Sequence, residues 1–146
     1  MKNIATLTPL VQEIKTILCS ARNNAVREVN GELLNAYWHI GRIIVEYEQN
    51  SNTRAEYGKE TLKDLSRVLT RECGKGFSRS NLQNMRLYYL TYQKCQTSSG
   101  KLSWSHYCEL LSISDNDKRG FYEKEAANSS WSVRELKRQI ASSLFE

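Results

Sequence analysis

The stretch from residue 57 to residue 94, YGKETLKDLSRVLTRECGKGFSRSNLQNMRLYYLTYQK, predicts two helices joined by a short turn. Apolar residues at helical spacing indicate a first helix over residues 57–72 and a second over 79–95. Gly74 and Gly76 end the first helix, because glycine is favoured just past a helix C-terminus. Ser78 is expected to cap the second. The inner faces are predicted to carry Leu62, Leu65, Val68, Leu69, Leu82, Met85, Tyr88 or Tyr89, and Tyr92.

The charge of the chain is concentrated in this stretch. Eight basic and three acidic residues lie between Lys59 and Lys94, while the whole chain has a net charge of +5. The remainder of the chain is therefore neutral. Such a local excess favours a polyanionic partner more than an evenly spread one would.

The second helix of this pair begins with polar side chains suited to reading bases. A helix-turn-helix places the N-terminal residues of its second helix at base edges in the major groove. Arginine matches guanine, and asparagine or glutamine matches adenine, each through two hydrogen bonds. An alternative interpretation is that these side chains only cap the helix and face solvent. The candidate base contacts are Arg79, Ser80, Asn81, Gln83, Asn84 and Arg86.

Basic residues also form a ridge on the first helix, where they recur every four positions. Such a ridge can lie along phosphates, which set position and affinity without carrying sequence information. A solvated face partly neutralised by Glu60 and Asp64 is the alternative. The candidate phosphate contacts are Lys59, Lys63, Arg67 and Arg71, together with Lys75 in the turn.

The pattern along the rest of the chain predicts a single all-α domain of about six helices over residues 1–146. Thr8 and Pro9 are typical of a helix start. Two apolar stripes follow, 11-14-18-21-25 and 33-37-40-44-47, and they differ in phase at Asn30-Gly31. We favour two helices, over residues 9–29 and 32–49. One long helix that pairs with another protomer is the alternative.

Three short helices are expected over residues 103–145. Ser103 is predicted to cap the first of them, and Ser114 or Asp115 the second. Ser132 is predicted to cap the third, with Glu135 completing a capping box three residues later.

Composition excludes several classes of protein. No run approaches the roughly 18 apolar residues of a membrane span, and the N-terminus is too polar for a signal peptide, so we expect a cytoplasmic protein without a membrane partner. The cysteines, Cys19, Cys73, Cys95 and Cys108, are predicted to be free thiols in apolar helical surroundings. His106 and Cys108 have no partners at zinc-binding spacing, so we predict no metal and no cofactor.

No catalytic constellation is apparent in the chain. His39 and His106 are the only histidines, and no glycine-rich phosphate-binding loop precedes a helix. Asp115 and Asp117 form the closest acidic pair, but acids at a helix start are explained by the helix dipole. We therefore expect no enzyme activity and no small-molecule substrate for this chain.

A set of motifs in a fixed order resembles the N-terminal domain of the YhcG-like family of bacterial proteins. The resemblance covers about residues 10 to 140. The motifs are Asn30, then Leu34, Tyr37-Trp38-x-Ile40-Gly41, Tyr57-Gly58, Leu65-Ser66, Gly76-Phe77-Ser78, Asn81-Leu82-x-x-Met85-Arg86, Leu102-Ser103-Trp104-x-His106-Tyr107, Phe121-Tyr122 and Trp131-Ser132-Val133-Arg134-Glu135-Leu136.

This resemblance implies a DNA-binding helical domain that precedes a C-terminal nuclease domain of the PD-(D/E)xK type. The chain ends at Glu146 and lacks Pro-Asp, so no catalytic residue is carried over, and nuclease activity is expected only on a C-terminal part. The leading hypothesis is a module that targets a nuclease to DNA, with duplex DNA as the partner. The alternative hypothesis is a protein-protein interaction or dimerisation module formed by residues 11–47, and a homodimer is compatible with both.

Overall fold

A computed structural model of the chain describes the backbone of residues 4–50, 55–92 and 101–142, and the side chains of 9–49, 61–92 and 101–142. Six α-helices and no strand occur within these ranges. They are α1 (Ile4–Asn50), α2 (Ala55–Cys73), α3 (Arg79–Thr91), α4 (Trp104–Leu110), α5 (Asn116–Asn128) and α6 (Val133–Ala141). The predicted all-α fold is therefore confirmed.

Helix α1 is one continuous helix of 47 residues, so the two helices favoured from the sequence are wrong. Neither Asn30-Gly31 nor Pro9 interrupts it, and the helix begins at Ile4 rather than at Pro9. At 1.5 Å per residue it is about 70 Å long. It is thus much longer than the rest of the domain requires.

Only the C-terminal half of α1 packs into the core. Leu34 and Trp38 are buried there, and the Trp38 indole N–H donates to the carbonyl of Tyr92 at 2.7 Å, which ties the end of α3 to α1. Of the sequence stripe 33-37-40-44-47, Ile44 is buried and Tyr37 and Ile40 pack against the core, whereas Leu33 and Tyr47 are 43% and 52% exposed. The buried side of this half also includes Leu34, Trp38 and Val45, which lie outside the stripe.

Helices α1 and α3 approach most closely at Gly41. A Cβ atom built on Gly41 would overlap the carbonyl oxygen of Met85 and lie 3.0 Å from Cβ of Tyr89. Glycine is therefore needed here because it has no side chain. Its backbone conformation is not the reason, since α1 is a regular helix at this position. The contact sets the distance between the two helices that carry most of the core.

Two apolar clusters make up the core. The smaller cluster joins α1, α2 and α3 through buried Ile44, Leu62, Leu82 and Met85. The larger cluster joins α1 and α3 to the C-terminal helices, with Tyr88 and Tyr122 completely buried. Tyr88 thus belongs to the core, as predicted, and Tyr89 and Tyr92 pack against the same cluster.

The caps of the three C-terminal helices follow the sequence prediction. The side chains of Ser103, Asp115 and Ser132 accept backbone N–H bonds at the starts of α4, α5 and α6. The capping box, however, forms at Ser103 with His106. The Glu135 carboxylate instead accepts bonds from Arg138 and Gln139, because these side chains lie within one turn of it.

Candidate nucleic-acid interface

The turn between α2 and α3 depends on two glycines in the left-handed region. Gly74 has φ +92° and Gly76 has φ +104°, a conformation in which other residues are strained. The N–H of Gly74 donates to the carbonyl of Thr70 at 3.1 Å and closes the last turn of α2. Lys75 is exposed between the two glycines. The predicted glycine-bounded turn is therefore confirmed, while the crossing geometry of a helix-turn-helix stays a prediction.

Hydrogen bonds connect the turn to both α2 and α3. The Ser66 hydroxyl of α2 donates to the carbonyl of Phe77 at 2.7 Å, and the Phe77 ring packs on the smaller core cluster. The Ser78 hydroxyl accepts from the N–H of Asn81 at 3.1 Å and caps α3, as predicted. The start of α3 is consequently held in a defined position relative to α2.

Asn81 uses both ends of its side-chain amide inside the protein. Its Nδ2 donates to the carbonyl of Gly76 at 2.5 Å, and its Oδ1 accepts from Nε1 of Trp104 at 2.8 Å. A bidentate contact to adenine needs both of these groups. In this conformation the amide therefore positions the turn against α4.

Arg86 and Asn84 also point to neighbouring helices. The Arg86 Nε donates to the two carboxylate oxygens of Glu48 in α1 at 2.9 and 3.0 Å, and both side chains are less than one third exposed. Asn84 hydrogen-bonds to Cys108 of α4, whose thiol pKa is raised by burial and lowered to a smaller extent by this bond. The two residues thus connect α3 to α1 and α4.

Three of the predicted base contacts remain on the outer side of α3. Arg79, Ser80 and Gln83 are exposed. Arg79 and Gln83 are four residues apart, so they lie on one side of the helix. These side chains form no hydrogen bond or ion pair with the side chain of another described residue, and they remain available to a ligand.

The ridge of α2 is exposed where its side chains are described. Lys63, Arg67 and Arg71 all face solvent. Arg67 pairs with Asp64 at 2.9 Å, but the two side chains are 74% and 59% exposed, and such pairs contribute little to stability. The side chain of Lys59 lies outside the described residues. Lys63, Arg71, Lys75 and Arg79 therefore extend from α2 through the turn to α3 without an ion pair to another described residue.

A second basic group on α6 is largely neutralised. Lys137 lies 3.5 Å from Glu109, and Arg138 lies 2.6 Å from Glu135. The hydrogen bond from Arg138 lowers the pKa of Glu135 to about 2, with Gln139 adding to the effect. This group offers less uncompensated charge than the surface formed by α2, the turn and α3.

Both ring nitrogens of His106 are engaged within the fold. The N–H of Ser103 donates to Nδ1 at 3.1 Å, so Nδ1 accepts, and Nε2 lies 2.7 Å from the carbonyl of Trp131, so Nε2 donates. The imidazole links α4 to the loop before α6. Over the described ranges no group of three or more His, Cys, Asp or Glu residues could hold a metal ion.

Two residues that position this surface were not predicted from the sequence. Trp104 fixes the amide of Asn81, and Glu48 neutralises Arg86. Both partners are more than 20 positions away along the chain, so helical periodicity gives no signal for either pair. Only the occurrence of Trp104 within a family motif marked it in advance.

The chain is similar to known sequences along most of its length. Residues 13–146 match the DUF1016 N-terminal domain. The protein of Escherichia coli (strain K12) named "Putative nuclease YhcG" is 40% identical over 159 aligned positions, which cover 87% of this chain and 42% of that relative. The chain thus spans about two fifths of the relative's length. No solved structure matches it.

The match also fits the helical fold and the motif order. No helix of the described part is both long enough and apolar enough to cross a membrane. The family match takes in every helix from α2 onward and most of α1. The chain therefore belongs to the DUF1016 N-terminal domain family and is a YhcG-like N-terminal domain.

Proposed function

We propose that this chain is the DNA-binding part of a nuclease-associated bacterial protein of the cytoplasm, and that it directs the nuclease to duplex DNA. The contact surface is the outer side of α2, the turn and the start of α3. The chain itself is not catalytic in this proposal. Nuclease activity belongs to a region of the relatives that this chain does not match.

The observation that carries the proposal is a set of exposed cations that form no ion pair with another described residue. Lys63, Arg71, Lys75 and Arg79 lie on consecutive elements and are joined by a fastened turn. Cations of this kind supply most of the affinity for a phosphate backbone, because their binding releases condensed counterions. The ordered turn supports a fixed register on the duplex.

The side chains on the outer side of α3 supply the proposed base contacts. Arg79 and Gln83 have the groups that match guanine and adenine, and Ser80 can contact either a base or a phosphate. We assign Asn81, Asn84 and Arg86 to positioning rather than to contact, since each is engaged with another helix. Arg67 can still reach a phosphate by exchanging Asp64 for it.

Burial of the tyrosines supports a duplex rather than a single strand as the partner. Proteins that bind unpaired strands stack bases on exposed aromatic side chains. Here Tyr88 is fully buried, and Tyr92 packs against the larger core cluster. The outer side of α3 offers charge and amide groups instead.

A comparison of two single variants tests this assignment. We expect Lys63→Ala to weaken binding to all duplexes alike, and Gln83→Ala to reduce the preference among sequences by about 1–3 kcal/mol at one base pair. Selection from a random duplex library, followed by fluorescence anisotropy, measures both effects. Lys124→Ala removes an exposed charge from α5 and should change neither. Absence of duplex binding at low salt would refute the proposal.

Self-association through α1 is a second candidate function, and one observation favours it. The N-terminal half of α1 carries large apolar side chains that are 43–63% exposed, from Leu10 at 53% and Val11 at 43% to Ile17 at 63% and Val29 at 57%. An amphipathic helix gains most of its stability by packing its apolar side. The two functions are compatible, because dimers that present paired recognition helices are common DNA-binding proteins.

A further inference from the structure

An apolar stripe runs along almost all of α1 on the side that faces away from the core. Its members fall in three groups, at positions 11–18, 29–33 and 43–47, and at 100° per residue the groups share one side of the helix, about half a turn from the buried Leu34 and Val45. All of them are exposed by 43–58%. The stripe consists of Val11, Ile14, Leu18, Val29, Leu33, Ile43 and Tyr47.

The C-terminal end of the stripe opens into a groove between α1 and α2. The groove has a volume of about 460 Å³. Ile43 and Tyr47 of the stripe form one wall, and Leu65 and Val68 of α2 form the other. Glu48 and Asp64 stand at its rim. The α1–α2 groove thus continues the apolar stripe at one end only.

We propose that a second copy of this chain covers the stripe, with the two α1 helices antiparallel and the N-terminal half of each seated in the α1–α2 groove of the other. This inference rests on the self-association proposed above. It adds the relative direction of the two α1 helices and the groove in which each of them packs. In a parallel pair the two α1–α2 grooves would lie side by side, and neither would be covered by the N-terminal half of the other copy's α1. In the antiparallel pair a single two-fold contact covers each groove with the partner's stripe.

The spacing of the stripe suits this arrangement. If the two-fold axis passes near Val29, the midpoint of the stripe, then Ile14 lies opposite Ile43 of the second copy, and Val11 lies opposite Tyr47. Over the described ranges, the N-terminal half of α1 is also the longest helical segment whose apolar side is uncovered. Its apolar side chains therefore match the apolar lining of the groove.

Basic side chains approach carboxylates of the groove in the antiparallel pair. Lys15 and Arg22 lie on the same side of α1 as the stripe, in its N-terminal half, and are exposed. The groove that would receive this half is lined by Glu48, which is paired with Arg86, and by Asp64, which is paired with Arg67. In this register Lys15 lies opposite Ile43 of the second copy, so it approaches the Glu48 and Asp64 carboxylates. Opposite charges at the edge of an apolar contact favour the matching orientation.

The size of the stripe is also sufficient. The stripe spans about 54 Å at 1.5 Å per residue, and a helix is about 10 Å wide, so each copy contributes about 540 Å². The two copies together exceed the roughly 1,000 Å² expected of a biological interface. An uncovered patch of this size is at the upper end of what monomers expose.

Light scattering on the complete chain tests whether the pair forms. We expect a dimer that becomes a monomer in Ile14→Asp, at the stripe, and in Val68→Asp, in the groove. Asn24→Asp introduces the same charge on another side of α1 and should leave the dimer intact. A monomer at every concentration would refute both self-association and the antiparallel seat, whatever the DNA-binding assay gives.

Disulfide cross-linking tests the direction. In a Cys19→Ser background, an Ile14→Cys chain and an Ile43→Cys chain are mixed and oxidised, and peptide mapping identifies the joined cysteines. The antiparallel pair predicts a bond between positions 14 and 43 and none between two copies of position 14. A dimer joined through two copies of position 14 would overturn the antiparallel seat while leaving self-association itself standing.

Discussion

Gly41 is the residue on which the packing of α1 against α3 depends most directly. Its place beside the Met85 carbonyl leaves no room for a methyl group. We expect Gly41→Ala to lower the free energy of unfolding by about 1–3 kcal/mol, because overpacking forces the helices apart. Chemical denaturation followed by circular dichroism measures this change.

Gly120 of α5 is the matched control for this substitution. A Cβ atom at Gly120 meets no atom within 4 Å. Gly120→Ala should therefore stabilise the protein by about 0.5–1 kcal/mol, as alanine does elsewhere in helices. Equal effects of the two substitutions would contradict the close approach at Gly41.

Asn81 separates a positioning role from a contact role in the site. Because its amide joins Gly76 to Trp104, Asn81→Ala should lower the free energy of unfolding by about 1–2 kcal/mol. Trp104→Phe should have a non-additive effect with it in a double-mutant cycle. If Asn81→Ala leaves stability unchanged and reduces only DNA binding, then the amide contacts bases.

The sequence could predict which residues lie in or beside the proposed site. It could not predict which of them are exposed and which contact other helices. Arg79, Ser80 and Gln83 are exposed as expected. Asn81 and Arg86 were expected to share their role, yet each meets a side chain on another helix. Residue type states what a side chain can bind, whereas its partner depends on packing between distant segments.

At the scale of elements, capping residues and glycines predicted the ends of helices well. Ser78, Ser103, Asp115 and Ser132 all cap as expected. The prediction for the interior of α1 is wrong, because its two apolar stripes predict two helices where the structure has one. A single helix with two apolar sides gives the same pattern, and periodicity cannot tell which side is covered.

Three helices meet at a shared carboxylate in the larger core cluster. Tyr92 of α3 and Tyr107 of α4 donate to the two oxygens of Glu123 in α5, at 2.9 and 3.1 Å. Burial first, and then the negative charge of Glu123, raises the pKa of both phenols well above the ordinary value of 10.0. The folded state therefore keeps protons that the unfolded state releases above pH 10.

This arrangement predicts alkaline sensitivity. Since the unfolded phenols ionise first, the free energy of unfolding is unaffected below pH 10 and falls as pH rises above it. Replacing Tyr92 and Tyr107 by phenylalanine should reduce this fall, and Tyr47→Phe, at an exposed phenol, should not. Denaturation curves at pH 8 and at higher pH measure the slope. The same slope in the unsubstituted protein, in the variant with phenylalanine at positions 92 and 107, and in Tyr47→Phe would contradict the bonding of both phenols to Glu123.

At the scale of the whole molecule, α1 and the basic surface are separate features. The basic surface lies on α2, the turn and α3, whereas the apolar stripe lies on α1. Substitutions in the stripe should change the assembly state without removing the cations that we propose contact phosphates. The chain can therefore be dissected into DNA contact and self-association by variants at the two surfaces.

The salt dependence of duplex binding by the complete chain tests the central claim most directly. Four exposed cations without an ion pair to another described residue predict a slope of about −4 for the logarithm of the association constant against that of the salt concentration. Lys63→Ala should make this slope shallower by about one unit, and Lys124→Ala should leave it unchanged. A slope near zero, or one that both variants change alike, would contradict the assignment of DNA binding to α2, the turn and α3.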